Sequence, residues 1–231
     1  MLELREIDAY YGSSQVLFGV SLKVSEGEPV CVLGKNGVGK TTLLRSIIGL
    51  TPPRRGSITL GTTRLDGRKP YDIAARGVGY VPQGNQLFPD LTVEQNLLLS
   101  VRNREVLVSR SAEIFRYFPG LYDKWRFKAG TLSGGQQKFL AIARGLIMQP
   151  RVLLLDEPSE GIQPNVVQEL ARTIRAIVAD QKCILLLVEQ NRTLAFRVAD
   201  RAYIMDRGRI VADGRPAELE AAGVVRRYLS F

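Results

Sequence analysis

Three continuous apolar runs constrain the fold of this chain more than any other feature of its sequence. They cover residues 29–34 (PVCVLG), 151–157 (RVLLLDE) and 183–190 (CILLLVEQ). Segments with apolar residues at helical spacing follow the first two runs, at 41–50 and 164–180. Strands that are apolar throughout are typical of a parallel sheet covered by helices on both faces. The sequence therefore predicts an α/β fold with a mainly parallel sheet.

Shorter strand patterns surround these runs. Residues 1–10 alternate as a strand does, and residues 77–83 predict another short strand. Two segments with central turn residues predict antiparallel hairpins, at 56–67 and at 199–214, the second turning around Arg207 and the glycine after it.

Helical spacing dominates the middle of the chain, from about residue 91 to 149, and returns in a tail at 216–229. The middle segment predicts a helical insertion within the α/β core, and no linker or repeat separates independent domains. We expect a single domain, residues 1–231, whose core covers about 1–88 and 151–231 and whose helical subdomain covers about 89–150.

The composition excludes several classes of protein. No apolar run approaches the roughly 20 residues needed to cross a bilayer, and the first residues resemble a strand rather than a signal peptide. We therefore expect a cytoplasmic protein. The chain has no histidine, and its two cysteines, Cys31 and Cys183, stand apart in apolar runs. This predicts buried free thiols and argues against a catalytic zinc site.

The formal charge of +9 admits polyanionic partners such as nucleic acid, nucleotide phosphates or an acidic membrane surface. The densest group of basic residues is interrupted by Glu105, Glu113 and Asp123. We therefore interpret it as a solvated helical surface and expect no nucleic-acid partner. Its members are Arg102, Arg104, Arg110, Arg116, Lys124, Arg126 and Lys128.

A glycine-rich loop joins the first apolar run to the helix after it. Residues 34–42 (GKNGVGKTT) match the phosphate-loop pattern G-x-x-x-x-G-K-[ST] between a strand and a helix, as that motif requires. Its glycines let successive N–H groups approach a phosphate chain, Lys40 adds a positive charge, and the Thr41 hydroxyl can reach a magnesium ion. The nucleotide-binding residues expected here are Asn36, Gly37, Val38, Gly39, Lys40, Thr41 and Thr42.

Two acidic residues end the second apolar run. Asp156 stands where a carboxylate can hold Mg²⁺, and Glu157 stands where it can polarise a water molecule. An apolar run that ends in two acids is a weak signal by itself. Together with the phosphate loop it predicts nucleotide hydrolysis.

A second anion-binding helix terminus is predicted at residues 132–137 (LSGGQQ). Ser133 is a good N-cap, while Gly134 and Gly135 leave N–H groups exposed at the positive end of the helix dipole. One phosphate loop needs only one such terminus. The second is either an ordinary cap or serves a nucleotide held by another copy.

These motifs in this order resemble the ATP-binding cassette (ABC) ATPase family over essentially the whole chain. The resemblance implies a P-loop NTPase (RecA-like) core, ATP and Mg²⁺ as ligands, and ATP sandwiched between the phosphate loop of one subunit and the signature of another. By position it implies that Lys40 and Thr41 hold phosphate and magnesium, with Asp156 linked to the metal and Glu157 the general base. The signature would comprise Ser133, Gly134, Gly135 and Gln136.

Two further positions complete the resemblance. Gln83 in YVPQG resembles the family glutamine that contacts the metal and senses the transport partner. Tyr11 resembles the aromatic residue that stacks on adenine, with Tyr10 as the alternative.

Two positions depart from the general family pattern. Gln190 in VEQN stands where most members have the switch histidine, and Gln163 in EGIQP stands where an aspartate is usual. Glutamine can donate a hydrogen bond to a γ-phosphate oxygen, but it cannot carry a proton. Gln190 is therefore expected to keep the contact of a catalytic switch without its titration, or else merely to end a strand.

The same departures resemble the ATPases of branched-chain and hydrophobic amino-acid importers and of the related urea and short-chain amide importers. The resemblance implies a second ABC ATPase subunit, identical or a paralogue, two membrane permease subunits, an indirectly acting periplasmic solute-binding protein, and a place on the inner face of the membrane. The alternatives are a soluble ABC-type ATPase acting on nucleic acid or ribosomes, and a nucleotide-binding regulator without turnover.

Overall fold

The protein is represented by a computed structural model, in which residues 1–229 are described. Ten strands and ten α-helices follow one another in a mixed α/β order, so the predicted fold class is confirmed. The strands are β1 Leu2–Tyr11, β2 Ser14–Val24, β3 Pro29–Leu33, β4 Arg55–Leu60, β5 Thr63–Arg64, β6 Val78–Val81, β7 Val152–Asp156, β8 Ile184–Glu189, β9 Arg201–Asp206 and β10 Arg209–Gly214. The helices are α1 Lys40–Ile47, α2 Pro70–Ala75, α3 Val93–Leu98, α4 Arg104–Tyr117, α5 Pro119–Tyr122, α6 Gly134–Leu146, α7 Pro164–Gln181, α8 Arg192–Val198, α9 Pro216–Ala221 and α10 Val224–Leu229.

The three apolar runs form the centre of a six-stranded sheet with the order β10-β9-β3-β8-β7-β6. Every residue of β3, β7 and β8 is buried. All pairings from β9 to β6 are parallel, and only β10 is antiparallel, to β9. Because parallel strands end at the same edge, the loops after β3, β7 and β8 converge there.

A second, antiparallel sheet has the order β2-β1-β4-β5 and includes the predicted first strand and the predicted β4–β5 hairpin. An apolar cluster fills the space between it, the parallel sheet and α1, with Leu17, Leu44 and Leu186 among its fully buried members. The hairpin predicted at the other end of the chain forms between β9 and β10.

Helices α3 to α6 form the middle segment and share a continuous apolar core with the parallel sheet and with α7. Gly145 of α6 shows how closely they pack, because a Cβ there would come within 2.8 Å of Val81 Cγ2. This contact holds the α6 backbone against β6. The division into a core and a helical subdomain stays a prediction.

Cys31 and Cys183 are buried free thiols, as predicted. Burial, together with the nearby negative charge of Glu189, raises the pKa of the Cys31 thiol well above its ordinary value, although Lys40 opposes this shift. The Cys31 thiol is therefore expected to stay protonated at neutral pH. In the described residues 1–229, no helix is both long enough and apolar enough to cross a membrane.

Candidate functional site

The glycine-rich loop runs from the end of β3 to the start of α1. Gly39 precedes the helix with φ of 111°, in the region that favours glycine. A Cβ at this position would also come within 2.9 Å of Leu17 Cδ2. The sequence can therefore make this turn only with glycine. The helix then begins at Lys40, with its first N–H groups facing the loop.

Lys40 folds back over the loop instead of extending into solvent. Its Nζ donates to the carbonyl oxygens of Gly34 at 2.8 Å and Lys35 at 2.9 Å, and lies 2.9 Å from Glu157 Oε1. The Lys40 side chain is 3% exposed and that of Glu157 is 10% exposed. The positive charge expected at the phosphates is thus paired with the expected general base.

Asp156 ends β7 with both carboxylate oxygens occupied. Oδ1 accepts from the Thr41 hydroxyl at 3.1 Å, and Oδ2 accepts from the Tyr80 hydroxyl at 2.9 Å. Burial raises the pKa of Asp156, while these two hydrogen bonds oppose the shift. Burial and the Asp156 charge also raise the pKa of Tyr80, so that Tyr80 stays a donor. The residue types alone did not predict Tyr80, although its strand pairs with β7.

The residues around Asp156 fit a magnesium ion shared with phosphates. Thr41 and Asp156 present oxygen atoms, which Mg²⁺ prefers, and Gln83 borders the same cleft. Within residues 1–229 there is no group of three or more histidine, cysteine or acidic side chains that could hold a metal ion by itself. A small protein donor set is what Mg²⁺ uses when substrate phosphates and water complete its coordination.

A cleft of about 480 Å³ opens above the glycine-rich loop. Val38 is absent from its walls because its side chain packs against the apolar cluster beside α1. Val16 borders the cleft and was not anticipated from the sequence. The lining residues are Tyr11, Val16, Asn36, Gly37, Gly39, Lys40, Thr41, Thr42, Gln83 and Glu157.

The two candidate aromatic residues at the end of β1 have different surroundings. The Tyr10 hydroxyl donates to Gln15 at 2.8 Å, and the Arg54 guanidinium lies 4.4 Å from the centre of its ring. Tyr11 is 45% exposed and borders the cleft, and its hydroxyl accepts from Arg45 at 3.3 Å. Of these two tyrosines, only Tyr11 borders the cleft.

Gln190 borders a neighbouring cleft of about 360 Å³, which Asn36 and Glu157 share with the first. Glu157 has φ of 46°, a left-handed conformation that costs a non-glycine residue about 1–3 kcal/mol. Its N–H donates to the carbonyl oxygen of Val188 at 2.9 Å, which holds the start of the loop after β7 against β8. Glu157 and Gln190 are thus brought to adjoining clefts from two neighbouring strands.

The LSGGQQ segment lies at a different place on the surface. The Ser133 hydroxyl accepts from the Gln136 N–H at 3.3 Å, while the Gln136 side chain accepts from the Ser133 N–H at 3.1 Å. Ser133, Gly135 and Gln136 border a cleft of about 230 Å³ that shares no lining residue with the clefts around Glu157. Gly134 packs beside Gly161, whose carbonyl oxygen is 3.9 Å from where a Cβ would lie. Within one chain, the signature and the glycine-rich loop do not meet.

Gln163, the second departure from the family pattern, is the N-cap residue of α7. It is exposed, and its side chain makes no capping hydrogen bond. The structure does not bring it into any of the clefts described above.

The basic residues of the middle segment are largely engaged with acids. Arg104 and Arg126 both contact the buried Glu94, at 2.8 and 2.7 Å. Arg116 lies 2.7 Å from Asp180. These ion pairs neutralise part of the positive charge of the middle segment.

Sequence comparison with known proteins consistently identifies ABC transporter proteins. The family described as ABC transporter matches residues 17–160. The chain is 37% identical to the "High-affinity branched-chain amino acid transport ATP-binding protein BraG" of Pseudomonas aeruginosa, over 95% of this chain and 94% of that protein. It is 34% identical to the "Probable branched-chain amino acid transport ATP-binding protein LivF" of Archaeoglobus fulgidus, with the same coverage.

Solved structures agree with the sequence comparison. The crystal structure of the ADP conformation of MJ1267, an ATP-binding cassette of an ABC transporter, superposes with a TM-score of 0.88 and 26% identity, over 98% of this chain and 94% of that one. The resemblance predicted from the motifs is confirmed. The chain belongs to the ABC transporter family, as an ATP-binding subunit that hydrolyses ATP coupled to transport.

Proposed function

We propose that this ATP-binding subunit of an importer serves the uptake of branched-chain or other hydrophobic amino acids, or of urea and short-chain amides. The observation that carries the proposal is the joint occurrence of EGIQP and VEQN, with Gln163 and Gln190 at the two departing positions. The similarity to two branched-chain amino-acid transport ATP-binding proteins along 95% of the chain supports it.

The subunit is proposed to work in a pair, with either an identical chain or a paralogue, beneath two membrane permease subunits on the cytoplasmic face of the membrane. The separation of the Ser133 cleft from the Lys40 cleft supports this arrangement, because no residue of the signature lines the cleft above the glycine-rich loop of the same chain. A periplasmic solute-binding protein would deliver the solute to the permease and would act on this subunit indirectly.

Different residues of the cleft are proposed to bind different parts of the nucleotide. The N–H groups of residues 36–42 and Lys40 would hold the phosphates, and Tyr11 would stack on adenine. Thr41, Gln83 and Asp156 would hold Mg²⁺, which supplies charge neutralisation at the phosphates when it is bound.

Lys40 and Glu157 are proposed to exchange partners on the way to hydrolysis. In the structure they form an ion pair at 2.9 Å. A phosphate chain in the loop offers Lys40 a stronger anionic partner, which releases the Glu157 carboxylate. Glu157 can then accept the proton of the attacking water as a general base.

Gln190 is proposed to donate a hydrogen bond from its carboxamide to the γ-phosphate of the bound nucleotide. It borders the same cleft as Glu157, from the neighbouring strand. Because a carboxamide does not titrate in the physiological range, Glu157 would act as the base without a histidine partner.

Purification of the intact complex from its native membrane tests the proposal. We expect two permease subunits to copurify, and ATP turnover in the reconstituted complex to rise with a branched-chain amino acid, urea or a short-chain amide and its binding protein. Recovery of this subunit without permeases, with turnover that RNA or DNA stimulates strongly near physiological salt, would instead support the soluble nucleic-acid or ribosome-associated alternative.

A further inference from the structure

Glu189 is a buried acidic residue for which the reaction proposed above gives no role. It ends β8, is 2% exposed, and directly precedes Gln190. One carboxylate oxygen, Oε1, accepts from the Ser159 N–H at 2.8 Å. The other, Oε2, accepts from the N–H groups of Gln190 at 3.1 Å and Asn191 at 3.0 Å.

These hydrogen bonds connect the loop after β7 to the loop after β8, beyond the point where the two strands pair. The register of β7 and β8 ends where Asp156 lies opposite Val188. One further backbone hydrogen bond, from the Glu157 N–H to the Val188 carbonyl oxygen, follows at 2.9 Å. Beyond it, the Glu189 carboxylate connects the chain after Glu157 to the chain that carries Gln190.

The backbone of Glu189 contacts a third loop. Its carbonyl oxygen accepts from the N–H of Gly34 at 3.2 Å, at the start of the glycine-rich loop. One residue therefore contacts the loops that carry Lys40, Glu157 and Gln190.

The carboxylate of Glu189 interacts electrostatically with a buried cation, Lys138. Burial raises the pKa of Glu189, and the hydrogen bonds from the Asn191 and Ser159 N–H groups oppose that shift. Lys138, 3% exposed, lies on α6, the helix that Ser133 caps. Burial lowers the pKa of Lys138, whereas the negative charges of Glu160 and Glu189 oppose the change.

We propose that Glu189 is a positioning residue that sets Gln190 relative to Glu157 by clamping the loops after β7 and β8 to each other. This inference rests on the proposed function of Gln190 and Glu157 in ATP hydrolysis. The clamp itself is a feature of the free protein and does not depend on that function.

The clamp requires a carboxylate. Both oxygens of a carboxylate accept hydrogen bonds, so one side chain can serve N–H groups on two sides. An amide has one oxygen and one NH₂ group, so in Glu189→Gln one loop would face a donor instead of an acceptor. A buried N–H group left without a partner is costly, and we expect that loop to move.

The kinetic test combines Glu189→Gln with Gln190→Ala in a double-mutant cycle. We expect Glu189→Gln to lower kcat about tenfold, since at least one N–H group among those of Ser159, Gln190 and Asn191 loses its acceptor. The Kd for ATP should stay within twofold. In the Gln190→Ala background, the same substitution should lower kcat by less than about twofold, because the group that it positions is absent. Glu3→Gln is the matched control. Glu3 is a buried carboxylate on β1 with two cationic partners, Arg5 and Lys23, and its substitution should leave kcat unchanged.

Hydrogen exchange on the unaltered protein tests the clamp without any variant. The amides of Ser159, Gln190 and Asn191 should exchange at least about tenfold more slowly than that of Gly161, an exposed residue in the loop after β7. In Glu189→Gln, the amides of at least one loop should lose this protection. The exchange measurement on the unaltered protein tests the clamp even if Glu189→Gln folds poorly.

Three outcomes would overturn the inference: a Glu189→Gln kcat within twofold of wild type, full additivity of the two substitutions, or unprotected amides at Ser159, Gln190 and Asn191 in the unaltered protein. Absence of ATP turnover in the wild-type protein would instead overturn the proposed function. The exchange measurement would then still report on the clamp.

Discussion

Nζ of Lys40 lies 2.9 Å from Oε1 of Glu157, and both side chains are nearly buried. The pair joins the first helix of the fold to the turn after β7, across the intervening strand β8. The residue proposed to bind phosphate and the residue proposed to act as general base therefore form an ion pair. The first prediction follows from this pair.

Glu157→Gln is expected to retain ATP binding and to lose turnover. Loss of the general base should lower kcat on the order of 10²-fold or more. ATP should bind as tightly as in wild type or more tightly, because Lys40 no longer has to leave a carboxylate. The measurements are kcat and the equilibrium Kd for MgATP, with Glu3→Gln as the control. Turnover within a few fold of wild type would place the base elsewhere.

Gln190→Ala is expected to slow hydrolysis and to leave nucleotide affinity of the separate subunit almost unchanged. One hydrogen bond of the closed state is lost, which should cost about 0.5–3 kcal/mol. Gln190→His should be tolerated better, because an imidazole can present an N–H group to the same oxygen. A series of kcat values against pH at saturating MgATP compares the three proteins.

In Gln190→His no other histidine can titrate, because the natural chain contains none. Any new titration of kcat between about pH 5 and 8 in Gln190→His can then be assigned to that residue. Equal rates in all three proteins, without a new titration, would mean that Gln190 only ends a strand.

Mixing two inactive variants is expected to restore part of the ATP turnover if the ATP site is shared between subunits. Lys40→Ala alters the glycine-rich loop, and Ser133→Arg alters the signature, which borders a separate cleft. In a mixed pair one site keeps both intact parts, so an equal mixture should recover about a quarter of wild-type turnover if the two sites are independent.

A mixture of Lys40→Ala with Glu157→Gln is the matched control for this experiment. Both of these residues border the same cleft, so each site of the mixed pair carries one of the two defects. No recovery is expected in this control. If the Lys40→Ala and Ser133→Arg mixture were also no more active than its separate components, a site shared between identical chains would be ruled out.

Tyr11→Ala is expected to raise KM for ATP about tenfold, since base stacking on an aromatic ring is worth roughly 1–3 kcal/mol. Tyr10→Ala should leave KM unchanged and lower the thermal unfolding temperature, because the Tyr10 ring lies under Arg54 and its hydroxyl is bonded to Gln15. Steady-state kinetics and thermal unfolding of both variants check this prediction. A larger KM effect for Tyr10→Ala would reverse the assignment.

The phosphate loop and the central strands could be predicted from the sequence. The spacing of Gly37, Gly39 and Lys40 after an apolar run predicted a strand, a phosphate loop and a helix, because only glycine makes that turn at low cost. The apolar runs ending at Asp156 and Glu189 predicted central strands of a parallel sheet. These features depend on neighbouring residues, on continuous apolar runs and on a helical period of 3.6, so the order of residues alone determined them.

Only the tertiary structure decided which of these residues meet. The sequence left Tyr10 and Tyr11 as alternatives, since successive strand residues face opposite sides and nothing local says which side is covered. Glu189 gave no signal as a clamp, because its partners at Ser159 and Asn191 are backbone N–H groups, which every residue but proline has. The pairing of Lys40 with Glu157 likewise depends on the strand order β3-β8-β7, which brings the ends of distant segments to one edge of the sheet.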